Sequence, residues 1–161
     1  MTDQPTVRWG ILGPGTIART FAAALQHSRG AELVAVASRN PSAPGLADSF
    51  PGVRILNGYQ ALLDDREVEA IYIATPHPGH AEWAIRAAEA GKHVLCEKPL
   101  AVSAAEAEAM IHAARKGGTF LGEAFMYRLH PQTAKLVALV KDGTIGEVRG
   151  IDASFSFRLT A

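Results

Sequence analysis

The 161-residue chain has one cysteine, Cys96, and no excess of either charge, with 16 Lys+Arg against 16 Asp+Glu. A single cysteine excludes an internal disulfide framework and a multi-cysteine zinc site. Balanced charge argues against a general nucleic-acid binder, which needs a basic excess. It also removes the case for electrostatic adhesion to an acidic membrane surface. No apolar run approaches the roughly 18–20 residues of a membrane span. The opening Met1-Thr2-Asp3-Gln4-Pro5 lacks the basic and apolar regions of a secretory signal. Repeats and low-complexity tracts are also missing. A chain of about 150 residues buries about 68–70% of its unfolded surface, enough for a core without disulfide or metal. The expectation is a soluble, cytoplasmic, globular protein with no metal, nucleic-acid or membrane partner.

What the chain does have is a regular alternation of short apolar runs and longer amphipathic segments. Strands are expected over 7–12, 33–37, 54–56, 71–74, 93–96 and 120–122. Helices are expected over 16–27, 59–63, 80–90, 103–116 and 132–140. Ile17, Phe21 and Leu25 recur four apart, as on one helix face. Ser103-Ala104-Ala105-Glu106 has the form of a capping box, with serine and glutamate each accepting the other's backbone N–H. Strands alternating with helices predict an α/β fold, a Rossmann-type doubly wound parallel sheet covered on both faces. This domain is expected over 1–125. In 126–161 a linker helix precedes a different pattern, with Ile151, Ala153, Phe155 and Phe157 alternating with polar residues. That period of two predicts a strand with one covered face, the start of a truncated α+β substrate domain.

Gly13-Pro14-Gly15-Thr16-Ile17-Ala18 fits G-x-G-x-x-A, between a strand and a helix as that motif requires. Gly13 permits the tight turn, and Gly15 lets a pyrophosphate approach the backbone. Thr16 and Ile17 open the helix whose free N–H groups face the anion, and Ala18 allows close packing on the strand. The second strand ends in Ser38-Arg39-Asn40, without the acid that holds an NAD ribose. Arg39 is a charged fork suited to a 2′-phosphate, and Ser38 can add a hydroxyl, so NADP is favoured over NAD.

Thr75, Pro76, His77 and His80 follow the fourth strand, where open parallel sheets bind ligands. Each histidine is a candidate cofactor contact, or alternatively part of a Pro-shaped loop entering a helix. Their surroundings give no metal-ligand pattern. Glu97-Lys98-Pro99 follows the fifth strand. Lys98 can give a proton to a substrate oxygen, with Glu97 beside it. Cys96 is read as a small buried residue rather than a nucleophile.

Taken together, the glycine turn from Gly10 to Ala18, Thr75-Pro76 with His80, and Glu97-Lys98-Pro99 resemble the N-terminal half of a Gfo/Idh/MocA oxidoreductase. Glu123-Ala124-Phe125-Met126-Tyr127-Arg128 with His130-Pro131, and Gly143-Thr144-Ile145-Gly146-Glu147-Val148, are similar to the same family. The likeness is nearest to its NADP-using branch, with dihydrodiol dehydrogenase, D-xylose dehydrogenase and glucose–fructose oxidoreductase. His77 departs from the Asn that many members carry after Thr-Pro.

The resemblance implies hydride transfer between a nicotinamide and a sugar, polyol or similar small alcohol or carbonyl. It implies proton transfer by Lys98, with Glu97 lining the cofactor or orienting the lysine. It adds Glu123 as a cofactor contact and Tyr127 and Arg128 as substrate contacts. Members carry a further sheet domain that supplies a histidine, and homo-oligomer formation through that sheet is expected. The alternative is a non-catalytic NADP(H)-binding module, a redox sensor or scaffold.

Overall fold

The computed structural model describes residues 5–158. The chain divides after Ala124 into two compact units. In the first, six strands form one sheet, β1 (Val7–Leu12), β2 (Ala31–Ser38), β3 (Arg54–Asn57), β4 (Ala70–Ile73), β5 (His93–Cys96) and β6 (Leu121–Glu123). Their order is β3-β2-β1-β4-β5-β6 and every pairing is parallel. The chain therefore starts in the middle, winds outward over β2 and β3, then returns to the other side of β1. The carboxyl ends of β1 and β4 flank the crevice where the winding reverses.

Helices cover both faces. α1 (Thr16–Leu25) and the one-turn α2 (Leu46–Ser49) lie on one; α3 (Tyr59–Asp64), α4 (His80–Glu89) and α5 (Ala104–Gly117) lie on the other. Alternation along the strands divides the core. Ile71 and Ile73 of β4 join Leu62, Ala84 and Met110, whereas Tyr72 joins Ile11, Ala18 and Val36. Full burial of such aliphatic side chains contributes about 1.5–3 kcal/mol each. Phe21 of α1 stacks on Tyr72 at 3.9 Å between ring centroids and meets the edge of Trp9 at 5.4 Å. The amino-terminal end of the sheet is fastened by Lys92, whose Nζ donates to the carbonyls of Asp65 and Val68, each at 2.7 Å.

Ser103 caps α5 by accepting the Glu106 N–H at 3.2 Å. The reciprocal bond differs from expectation, because Glu106 Oε2 accepts from Val102 N–H at 3.1 Å rather than from Ser103. The carboxylate thus reaches one residue further back and ties down the approach to the helix. α2 was not foreseen; it is a single turn opened by Gly45 in a left-handed conformation.

The second unit contains a 3₁₀ turn (Met126–Leu129) and α6 (Pro131–Lys141), capped by His130 Nδ1 accepting from Gln132 N–H at 3.1 Å. The alternating segment from Ile151 to Phe157 forms no strand. Its pattern is right for one covered face, but a strand needs a ladder partner for its N–H and C=O groups, and among the described residues it has none. Phe155 and Phe157 instead lie against each other at 5.7 Å. Among the described residues, no helix is long and apolar enough to cross a membrane.

A candidate dinucleotide site at the carboxyl edge of the sheet

The glycine turn is shaped by the strand beside it. Gly13 has φ +97°, and a Cβ there would stand 3.3 Å from the Ala74 carbonyl and from Thr75 Cγ2. Its N–H donates to the Ala37 carbonyl of β2 at 3.1 Å, while Ala74 N–H donates to Leu12 at 2.9 Å. These bonds lock the turn across three strands. Gly15 is the N-cap of α1 and offers no side chain to the helix's free N–H groups. A Cβ at Gly15 would meet only the Ala74 oxygen, at 3.9 Å, so the chain leaves the space above it open. Thr16 and Ile17 are exposed in the first turn, and Ala18 is fully buried behind them.

At the end of β2, Ser38 is buried and its Oγ accepts from Asn40 N–H at 3.0 Å. Arg39, between the two bonded residues, is exposed. The serine shapes the turn, and the arginine is the side chain that the turn presents.

Thr75 lies where the β4 loop meets the glycine turn. Its Oγ1 is the buried side-chain polar atom without a hydrogen-bond partner among the described residues. Pro76 and His77 are exposed and lead into a 3₁₀ turn (His77–Gly79). His80 is different. It is 1% exposed, with Nε2 2.8 Å from the Thr75 oxygen and Nδ1 2.9 Å from the Pro99 oxygen. Both ring nitrogens are engaged with backbone, so His80 is not a direct cofactor contact. It joins the loop after β4 to the loop after β5.

That second loop holds Glu97 and Lys98. Glu97 is buried and both carboxylate oxygens are used, Oε1 accepting from the Tyr72 hydroxyl at 2.5 Å and Oε2 from Lys98 N–H at 3.1 Å. Burial first, and the Glu97 carboxylate second, push the Tyr72 phenol well above its ordinary range. Glu97 therefore orients the backbone of Lys98 rather than lining an open surface. Lys98 is exposed. Glu123, at the end of β6, is also exposed, and its Oε1 accepts from Leu100 N–H at 2.9 Å. Cys96 is fully buried, and burial followed by the charges of Glu97 and Glu123 pushes its thiol up to about 12, which suits packing and not nucleophilic attack. Tyr127 and Arg128 are exposed on the 3₁₀ turn of the second unit, where Tyr127 meets the edge of Phe125 at 5.8 Å. Among the described residues, no three His, Cys, Asp or Glu side chains come together as a metal group.

The sheet edge thus gathers the glycine turn, Arg39, Thr75 and Lys98 at the ends of β1, β2, β4 and β5. Sequence reasoning passed over Tyr72. It stands inside an apolar run, and its carboxylate partner is 25 residues away. The one available signal was a phenol in a fully buried strand, because a buried tyrosine hydroxyl usually finds a partner.

An uncapped helix N-terminus behind a glycine turn, at the switch point of an open parallel sheet, defines a dinucleotide-binding Rossmann domain. Residues 7–125 match the Gfo/Idh/MocA family, described as an oxidoreductase family with an NAD-binding Rossmann fold, and the chain belongs to that family. Trans-1,2-dihydrobenzene-1,2-diol dehydrogenase of Mus musculus is 40% identical over 157 residues, 96% of this chain and 47% of that protein. D-xylose 1-dehydrogenase (NADP(+)) 2 of Haloferax volcanii is 41% identical over 153 residues, 94% of this chain and 46% of that protein. The crystal structure of KijD10, a 3-ketoreductase from Actinomadura kijaniata, in complex with NADP and TDP-benzene superposes with a TM-score of 0.82. The two are 40% identical, and the match covers 89% of this chain and 45% of KijD10. The chain spans about half the length of these relatives.

Proposed function

We propose that this chain is the cofactor-binding half of an NADP(H)-dependent oxidoreductase acting on a sugar, a polyol or a related small alcohol or carbonyl. The observation that carries this reading is the meeting, along one sheet edge, of an anion-binding turn, an exposed arginine and a lysine. The fit to a dinucleotide is physical. The space over Gly15 is open, and the first N–H groups of α1 have no side-chain cap. Thr16 and Ile17 supply the first helical turn. Arg39 would hold a 2′-phosphate, in a turn set by Ser38 and carrying no acid. Pro76, His77 and Glu123 would border the bound group. Two of the similar proteins are named or crystallised with NADP.

The cofactor, when bound, takes or gives a hydride at the substrate carbon. The chain's own task is the proton at the substrate oxygen. Lys98 as the neutral amine receives the hydroxyl proton during oxidation; as the ammonium it returns that proton during reduction. Glu97, acting on the Lys98 backbone, sets where this exchange occurs. Tyr127 and Arg128 are assigned to the substrate side. The sugar class is supported by the name of the similar D-xylose 1-dehydrogenase.

Calorimetric titration of the chain with NADPH and NADH tests the first half of this reading. A polyol and sugar panel assayed on the full-length protein tests the second. Tight NADPH binding with no turnover across the panel would instead indicate a non-catalytic binding module.

A further inference from the structure

We infer that Tyr72 is a positioning residue for the reaction, setting Lys98 through the Glu97 carboxylate and tying it to the helix that opens the anion-binding turn. The inference rests on the proposed proton-transfer role of Lys98.

Three contacts carry it. The Tyr72 hydroxyl donates to Glu97 Oε1 at 2.5 Å. Glu97 Oε2 accepts from the N–H of Lys98 at 3.1 Å. The Tyr72 ring stacks on Phe21 of α1 at 3.9 Å between centroids, with 17° between the planes. The arrangement follows from strand periodicity. Tyr72 lies opposite Leu95 in the β4–β5 ladder, and both belong to the α1 side of the core. Glu97 is two residues beyond Leu95, hence on the same face.

The chemistry favours a fixed carboxylate. A buried carboxylate left with one N–H partner is costly and free to turn toward other donors, whereas two opposed donors hold its plane. Burial, and then Glu97, push the phenol well above its ordinary range, which favours the protonated hydroxyl as donor. Tyr72 can therefore hold Glu97, and through it the backbone amide of Lys98, without itself exchanging a proton. Phe21 supplies the other half of the link. It stands one helical turn below the uncapped N–H groups of α1, so the proposed cofactor cradle and the lysine loop share one aromatic contact.

The test uses the full-length enzyme with Tyr72→Phe, Glu97→Gln, the double variant and Lys98→Ala. Tyr72→Phe keeps the ring stack and removes only the hydroxyl. Its kcat should fall roughly 10- to 100-fold, the scale of a small misplacement of a catalytic group. KM and NADPH affinity should stay close to wild type, while the melting temperature falls with the carboxylate left short of a donor. The double variant should be no slower than the slower single variant, because both act on one path. A role in packing alone would lower the melting temperature and leave kcat per folded molecule unchanged, and that result overturns the inference. Multiplied losses in the double variant overturn it too. Should Tyr72→Phe give no folded protein, Glu97→Gln decides the matter, since the amide keeps the side chain's shape; an unchanged kcat there ends the proposal. If Lys98→Ala turns over normally, the role of Lys98 itself is wrong. If Lys98→Ala is inactive and Tyr72→Phe is not, only the role of Tyr72 is wrong.

Discussion

Gly13 faces Ala74 across the β1–β4 crevice so closely that a Cβ on the glycine would stand 3.3 Å from the alanine carbonyl. Gly15, two residues on, has no such neighbour. The two glycines therefore predict different mutants. Gly13→Ala forces a side chain into a left-handed backbone with φ +97° and should cost about 1–3 kcal/mol of stability. Gly15→Ala should unfold within about 0.5 kcal/mol of wild type. It should nevertheless weaken NADPH binding about tenfold or more, because its methyl fills the anion's approach. Denaturant titration beside calorimetry checks both. Equal stability losses for the two variants would contradict the assignment.

Arg39 is exposed at the turn that Ser38 shapes, and no acid accompanies it. Arg39→Ala should reduce NADPH affinity by about 1.5–3 kcal/mol, or roughly 10- to 150-fold, with little effect on NADH. Equal affinity of the wild-type chain for the two cofactors removes the basis for this prediction.

Lys98→Ala in the full-length enzyme should lower kcat about 10²- to 10⁴-fold. NADPH affinity should change far less, since the proposed phosphate contacts lie at the ends of β1 and β2. Stopped-flow turnover and fluorescence binding separate the two effects. A loss confined to binding would reassign the lysine to the cofactor.

The opposite end of the sheet predicts the acid behaviour. Burial acts to raise the Asp65 pKa, but the Glu67 N–H and the Arg54 guanidinium outweigh it and hold the carboxyl below its usual range. Glu69 is held down by the backbone N–H and then the guanidinium of Arg8. A folded-state pKa below the unfolded one stabilises the ionised fold. That stability is complete above about pH 5 and is lost as pH falls through the lowered values. Arg54 contacts Asp65 at 2.7 Å and Glu67 at 2.8 Å. Arg54→Ala should therefore narrow the difference in melting temperature between pH 6 and pH 3. An unchanged difference would show that these ion pairs contribute nothing to it.

Ile151, Phe155 and Phe157 are 88%, 79% and 70% exposed. The 161-residue chain purified alone should self-associate, and Phe155→Ser with Phe157→Ser should return it toward monomer mass. Light scattering at increasing concentration reads this directly. A wild-type monomer throughout would refute the prediction.

Much of the first unit was legible because its constraints are local. Gly13, Gly15 and Ala18 lie within six residues, and the apolar runs of β1, β2 and β4 are bounded by turn residues. Side-chain bonds between distant segments left no such trace. Lys92 reaches carbonyls 27 and 24 residues away, and Glu123 meets an N–H 23 residues away. No period or spacing marks such pairs, because β-strand pairing brings them together. His80 shows the same limit from the other side. Its position after β4 suggested ligand contact, but the Thr75 and Pro99 carbonyls occupy its ring. At 151–158 a true alternation stayed without its ladder, since a strand is a property of two segments.

The loop from Glu97 to Leu100 is gripped by Tyr72 through Glu97, by His80 at Pro99 and by Glu123 at Leu100. All three grips come from the sheet domain itself. In evolutionary terms this makes the lysine loop portable: its backbone is seated by the nucleotide-binding half alone, so that half can be joined to different partner domains without the loop being rebuilt each time.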